Sequence, residues 1–345
     1  MTQSSFEFDV PGPGAPAPAP QPSPKPARTR RAAPAKALPL EDMARLLEQD
    51  ANYRVLRRLV PTTDYGPAPS APEPMQSAAG TRNVLVLDTE TTGLSHQADK
   101  IIELAMLLVQ VDEASGLPFG SVECFEGFED PGMPIPAVAK EVTGISDDMV
   151  KGHRLDDQQV AAMVARADLI VAHNAGFDRP FVEARFPCFA QKAWACSFAD
   201  IDWKAAGAGS SKLSALALDH GWFFDAHRAL VDCHALLQVL SKPVGQGTVT
   251  GVNQLMVAAA RPSYKLRATG SPFESKDLLK ARGYRWDADA KVWFCTLADQ
   301  ERLDAELEWL KADVYGRRHA RVEVEAMDSL VRYSARAGEI SQRAL

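Results

Sequence analysis

The chain has 345 residues, 46% of them hydrophobic and 24% charged, with a formal net charge of −7 at pH 7. That length suits two folded units plus some unstructured sequence. No apolar run approaches the roughly 20 residues that span a bilayer, and the start lacks the apolar stretch of a secretory signal, so no membrane partner and a cytoplasmic location are expected. The acidic balance argues against a protein that coats duplex DNA but leaves room for an enzyme that needs only a local basic patch at a strand end.

Residues 1–38 are rich in Pro and Ala, carry Lys25, Arg28, Arg30, Arg31 and Lys36, and cannot bury enough apolar surface to offset ordering, which predicts a disordered tail. Over 39–60, Met43, Leu46, Leu47, Tyr53, Leu56 and Leu59 recur at helical spacing, predicting one or two short helices docked on the main domain. A Pro-rich linker fills 61–80. The apolar run Asn83–Asp88 reads as a strand ending in an acid, Ile101–Val111 as a second strand, and Leu169–Ala172 as a third, with Thr91-Thr92-Gly93 as a turn. Helices are predicted over Phe177–Phe186, Leu213–His220 and Ala229–Leu240. Strands mixed with helices over 81–242 imply an α/β layer fold.

A Gly-rich hinge is expected at 243–260, followed over 261–345 by a small α+β domain. Its predicted elements are a strand at Tyr264–Ala268, a helix at Ser275–Arg282, a hairpin across Asp287–Ala290 and a helix through Leu303, Leu307 and Leu310. Basic and aromatic residues interleave from Lys276 to Phe294, which could suit a single-strand platform, although Trp293 and Phe294 are expected in the core. Five scattered cysteines, none spaced as a zinc knuckle or redox pair, read as small buried residues in a reducing compartment.

Hydrolysing a phosphodiester requires neutralising the phosphate, activating water and stabilising the departing alkoxide. A pair of hard divalent cations about 4 Å apart does all three and demands clustered carboxylates. Asp88 and Glu90 stand one residue apart at a strand end, so their side chains leave on the same face. A bare Asp-x-Glu is common by chance. Here it continues as Asp88-Thr-Glu90-Thr-Thr-Gly93-Leu94 and is followed by His173-Asn-Ala-Gly-Phe-Asp178 and His227-Arg-Ala-Leu-Val-Asp232.

These three segments, in this order, resemble the three motifs of the DEDDh exonucleases, the DnaQ-like group that includes the proofreading subunit of bacterial DNA polymerase III. The spacing of His227 from Asp232 is that of the histidine subclass. Thr143-Gly-Ile-Ser146 is similar to a His-Gly-Ile-Thr segment of the group, with Thr143 replacing the His. The resemblance covers residues 83 to about 240 and implies a ribonuclease H-like domain with a mixed central sheet flanked by helices. It further implies two Mg²⁺ (or Mn²⁺) ions, with Asp88 bridging both, Glu90 and Asp232 completing the first ion's shell, and Asp178 serving the second. His227 would be the general base, a role suited to an imidazole of pKa about 6.5. Thr91, Gly93 and Leu94 are expected to touch the terminal nucleotide, and His173 and Asn174 to shape the backbone beside Asp178 or contact substrate.

The function expected is 3′-to-5′ removal of nucleotides from single-stranded DNA, as in proofreading or repair, with replication or repair proteins as further partners. The alternatives are RNA 3′-end trimming and a replisome-binding adaptor with weak nuclease activity.

Overall fold

The computed structural model describes residues 38–68, 80–316 and 319–345, so the expected Pro/Ala tail and most of the 61–80 linker lie outside the described residues. Among the described residues, 38–53 belong to one unit and those from Arg54 to Leu345 to another. In the first, α1 (Leu40–Glu48) buries none of its residues. That is one helix where one or two were expected. Nearer Leu59, Arg57–Arg58 is a short strand, β1, because its amides and carbonyls find a parallel partner at Trp222–Phe223.

The nuclease-like part continues with β2 (Thr81–Thr91), β3 (Ile101–Asp112), β4 (Pro118–Phe128), α2 (Ala137–Thr143), α3 (Asp147–Val150), α4 (Asp157–Arg166), β5 (Leu169–Ala172), α5 (Ala175–Arg185) and β6 (Trp194–Cys196). After these come α6 (Leu213–Asp219), β7 (Trp222–Phe223), α7 (Ala229–Leu240) and α8 (Gly251–Ala259). The central sheet has the order β4-β3-β2-β5-β6, antiparallel from β4 to β2 and parallel from β2 to β6. Both faces are covered, so the central stretches of its middle strands, Val84–Leu87 of β2 and Leu104–Val109 of β3, are apolar without alternation. Val84 and Val86 of β2 pack with Leu236 and Leu240 of α7, whereas Leu85 and Leu87 pack with Val160 of α4 and Phe181 of α5. By the same two-residue period, Asp88 and Glu90 lie on the α7 face and Thr89 on the α5 face.

Half of the stretch expected as a hinge is α8. Thr250 caps it by accepting from the Asn253 amide at 3.2 Å, which satisfies one of the open amides at a helix start. The rest of the chain is β8 (Ser263–Ala268), α9 (Lys276–Ala281), β9 (Arg285–Asp287), β10 (Val292–Leu297), α10 (Gln300–Trp309), β11 (Arg321–Met327) and β12 (Glu339–Ala344). These strands make a second, all-antiparallel sheet, β12-β11-β8-β10-β9. Its core uses one face, where Leu266, Val322 and Val324 meet Leu279 of α9 and Leu303 of α10. Trp293 joins that core as expected. Phe294, one residue on, points to the other face, because neighbours in a strand alternate. Cys196 and Cys233 are buried as expected, but Cys124 is exposed, lying on the outer strand β4, and all five thiols are free.

Residues 328–336 strap the second sheet to the first. Ser329 accepts from the Trp194 amide at 2.9 Å on the outer side of β6. The fully buried Arg179 of α5 donates to the carbonyls of Ser329, Leu330 and Arg332 and to Glu183. Arg332 in turn pairs with Asp200 at 3.1 Å and donates to the carbonyls of Ala258 and Arg261. A guanidinium out of water is tolerated only when its donors are this well used.

Candidate active site

Three elements bring the acids together. Asp88 and Glu90 come from the end of β2 and Asp232 from the first turn of α7, and ligand oxygens of these three lie within 4.8 Å of one another. Asp178, in the first turn of α5, approaches from the opposite face. Its Oδ1 accepts from the Thr89 hydroxyl at 2.8 Å and the Thr89 amide at 3.1 Å, so the residue between Asp88 and Glu90 holds the fourth carboxylate. Asn174, with φ 70°, supplies the left-handed residue that turns β5 into α5.

His227 is exposed and also left-handed, with φ 68°. That conformation directs its amide and the next back onto α7, where Asp232 Oδ2 accepts from His227 at 2.8 Å and Arg228 at 3.1 Å. His173 is partly buried, with Nδ1 2.7 Å from the Ser197 hydroxyl, and burial pushes its pKa down to about 4. Asp88, Glu90, Thr91, Gly93, Leu94, His173, Asn174, His227 and Asp232 all line one cleft of about 800 Å³. Asp178 is not on its wall, being 2% exposed and turned to Thr89. Leu94 stands free at the mouth, 88% exposed. Gly93 has a local reason to be glycine: an added Cβ would lie 2.5 Å from the Asp99 carboxylate, which bonds Thr92 and Ser95.

The electrostatics are those of crowded, mutually repelling carboxylates. Burial, then Asp178, Asp232 and Glu90, hold the Asp88 carboxyl well above the usual range. Burial, Asp232 and Glu103 raise Glu90 to about 8. Burial lifts Asp178 to about 7 against the two Thr89 hydrogen bonds, and Asp232 to about 6 against the Arg228 and His227 amides. Among the described residues no Lys or Arg pairs with Asp88, Asp178 or Asp232. Crowded carboxylates with only oxygen donors and no cationic side chain fit hard divalent cations, which would remove the repulsion that raises these pKa values.

Sequence reading missed a fifth acid. Glu103 of β3 sits directly across from Glu90 and is fully buried. Its Oε1 accepts from Arg228 at 3.0 Å and its Oε2 from the Ala229 amide at 3.1 Å, which anchors the start of α7. A lone acid inside the apolar run Ile101–Val109 was the available signal, since such a charge is kept only with a partner. Phe198, Val138 and Val142, which no motif announced, join Phe177 of the second motif in giving the cleft an apolar rim. The Thr143 hydroxyl donates to the Ala139 carbonyl at 2.9 Å and touches no acid.

Comparison with known proteins agrees with this geometry. The RNase T exonuclease family model matches residues 85–240. The chain is similar to the PolC-type DNA polymerase III of Listeria innocua (42% identical over 105 residues, 29% of this chain and 7% of that protein). It is also similar to that of Bacillus subtilis (37% over 108 residues, 30% and 7%). It therefore spans only a small part of the relatives it matches. Among solved structures it is similar to Exonuclease X in complex with 5′-overhanging duplex DNA (23% identity, TM-score 0.39, 50% of this chain and 98% of that one). Exonuclease I of E. coli with a dA16 oligonucleotide is a further neighbour (16%, TM-score 0.38, 55% and 48%). No helix among the described residues is long and apolar enough to cross a membrane. With the family match falling on the segment that carries the clustered acids, residues 85–240 are a domain of the DEDD-type 3′-to-5′ exonuclease family.

Proposed function

We propose that this chain removes nucleotides one at a time from the 3′ end of single-stranded DNA, with its catalytic domain over 81–242 and an accessory module over 261–345. The observation that carries the reading is the convergence of Asp88, Glu90 and Asp232 beside Asp178 and His227 at one cleft. Two divalent cations, Mg²⁺ or Mn²⁺, held by Asp88, Glu90, Asp232 and Asp178, would supply charge neutralisation and acidify water. His227 takes the proton of the attacking water. Its exposed imidazole has access to the cleft, and its backbone is fixed by Asp232. Thr91 and Gly93 border the terminal nucleotide, His173 and Asn174 hold the backbone beside Asp178, and Leu94, Phe177 and Phe198 suit an unpaired base with no partner strand. A replication or repair setting is the one in which trimming of DNA 3′ ends is useful.

Matched 3′-labelled and 5′-labelled DNA and RNA oligonucleotides, incubated with Mg²⁺, Mn²⁺ or EDTA, test this. The 5′-labelled DNA should shorten in single-nucleotide steps only with metal, and His227→Ala should slow it by roughly 10² to 10⁴ while leaving metal binding intact. Faster loss of RNA would make the substrate RNA, and intact strands in both metals would remove the enzyme reading.

A further inference from the structure

The face of the second sheet turned away from α9 and α10 is open along β9 and β10, and its chemistry there is that of a strand-binding platform. Register places Phe294 of β10 directly between Arg267 of β8 and Arg285 of β9, with Lys265 diagonal to it. These residues alternate with Leu266, Trp293 and Cys295, which belong to the core, so they leave the sheet on the side away from α9 and α10. The Phe294 ring is partly exposed and carries Lys265 Nζ at 4.5 Å and Arg285 Cζ at 5.1 Å from its centroid.

Charge on the face is divided. Glu323 and Glu325 of β11 are consumed by Arg267, whose two nitrogens reach them at 2.8 Å each, and Asp287 accepts from the Asp289 and Ala290 amides of its own turn. Lys265 and Arg285 make no salt bridge among the described residues, although Lys265 stands opposite Glu325 and feels both Glu325 and Asp287. Two cations astride an aromatic ring, neither locked in an ion pair, complement a single-stranded polynucleotide: phosphates meet the cations and a base stacks on the ring. A protein partner with acidic side chains would use the cations and leave the ring idle.

We propose that Phe294, Lys265 and Arg285 form a binding site for single-stranded nucleic acid, distinct from the cleft. The strap of residues 328–336 ties this module to β6 and α5 of the nuclease sheet, so a strand held here stays tethered to the body that cuts it. Long strands gain from the site; substrates of two or three nucleotides do not.

The test uses the full chain in EDTA and measures fluorescence anisotropy of a labelled dA20 strand, an abasic strand of equal length and the A20 ribonucleotide strand. Wild type should bind dA20 more tightly than the abasic strand, with dA20 against its ribonucleotide counterpart deciding whether DNA or RNA is preferred. Phe294→Leu should weaken dA20 binding about fivefold or more, while Phe294→Trp, which keeps an aromatic face, restores it. Lys265→Gln with Arg285→Gln should lower the salt slope by about 1 per cation removed, and Lys280→Gln on α9 should change nothing. Metal-dependent shortening of a trinucleotide should be the same in all variants. The proposal is overturned if wild type binds no strand, if Phe294→Leu and the double Gln variant bind as wild type does, or if the abasic strand and polyglutamate bind as well as dA20, the last result assigning the face to an acidic protein. Loss of binding in these variants from a chain with no nuclease activity would keep this site and sink the catalytic reading instead.

Discussion

The two five-stranded sheets treat buried acids in opposite ways. In the second sheet Glu325 is 5% exposed, yet Arg267 and the Gly338 amide outweigh its burial and carry its pKa below the ordinary value. In the first, Glu90 is buried and Asp88 part-buried, and burial together with neighbouring carboxylates drives their pKa values up. The first sheet also has a cation in reach, but Arg228 is committed to Glu103 rather than to the cluster. An acid buried with its arginine serves the architecture, whereas acids crowded against one another mark a group of residues suited to binding.

Four changes sharpen or break that contrast. Asp88→Asn should reduce strand shortening by about 10³-fold or more, since it removes ligand charge from the transition-state clamp. The same variant should melt at a higher temperature than wild type in EDTA at pH 8, because repulsion is relieved; a lower melting temperature would show the carboxylates are not in conflict. Arg267→Met should lend the second sheet the first one's problem, costing about 3 kcal/mol by denaturant titration through unpaired Glu323 and Glu325. Nuclease activity per folded molecule should not move. Glu103→Ala should lower kcat roughly tenfold with KM nearly unchanged, by loosening Arg228 and the start of α7, and Glu103→Gln should recover part of it. Equal kcat in both variants and wild type would leave Glu103 as packing alone.

The smallest effect is in pH. The raised carboxylates hold protons more tightly folded than unfolded, so the metal-free chain binds more protons in the folded state between about pH 4, the ordinary carboxylate range, and about pH 8. Its stability should fall as pH rises through that window. Calorimetry in EDTA should give a melting temperature a few degrees lower at pH 8 than at pH 5, and Mg²⁺ should restore more at pH 8 than at pH 5.

Much of the catalytic face was legible in the sequence because it rests on short-range rules. A two-residue period puts Asp88 beside Glu90, and the apolar face of Ala229–Leu240 fixes α7 to its observed ends. What escaped depends on contacts between distant segments. β4 carries Pro118, Gly120 and Gly127 among exposed acids and is a strand only because β3 offers it a partner. All six residues of β12 are exposed, so no apolar alternation marks it. Glu103 looked like an interruption in a buried strand until Arg228, far along the chain, came to meet it. Phe294 was assigned to the core by residue type, where strand parity with Trp293 decides otherwise.

The strap of residues 328–336 bears on how the chain can be divided. A fragment ending after α8 would leave Arg179 as a buried cation without three of its acceptors, one position from Asp178, and would strip the outer side of β6. An uncovered strand edge is a template for pairing with another molecule. Such a fragment should elute from a sizing column as self-associated species rather than as a small nuclease, so the accessory module doubles as the guard that keeps the catalytic sheet from sticking to its own kind.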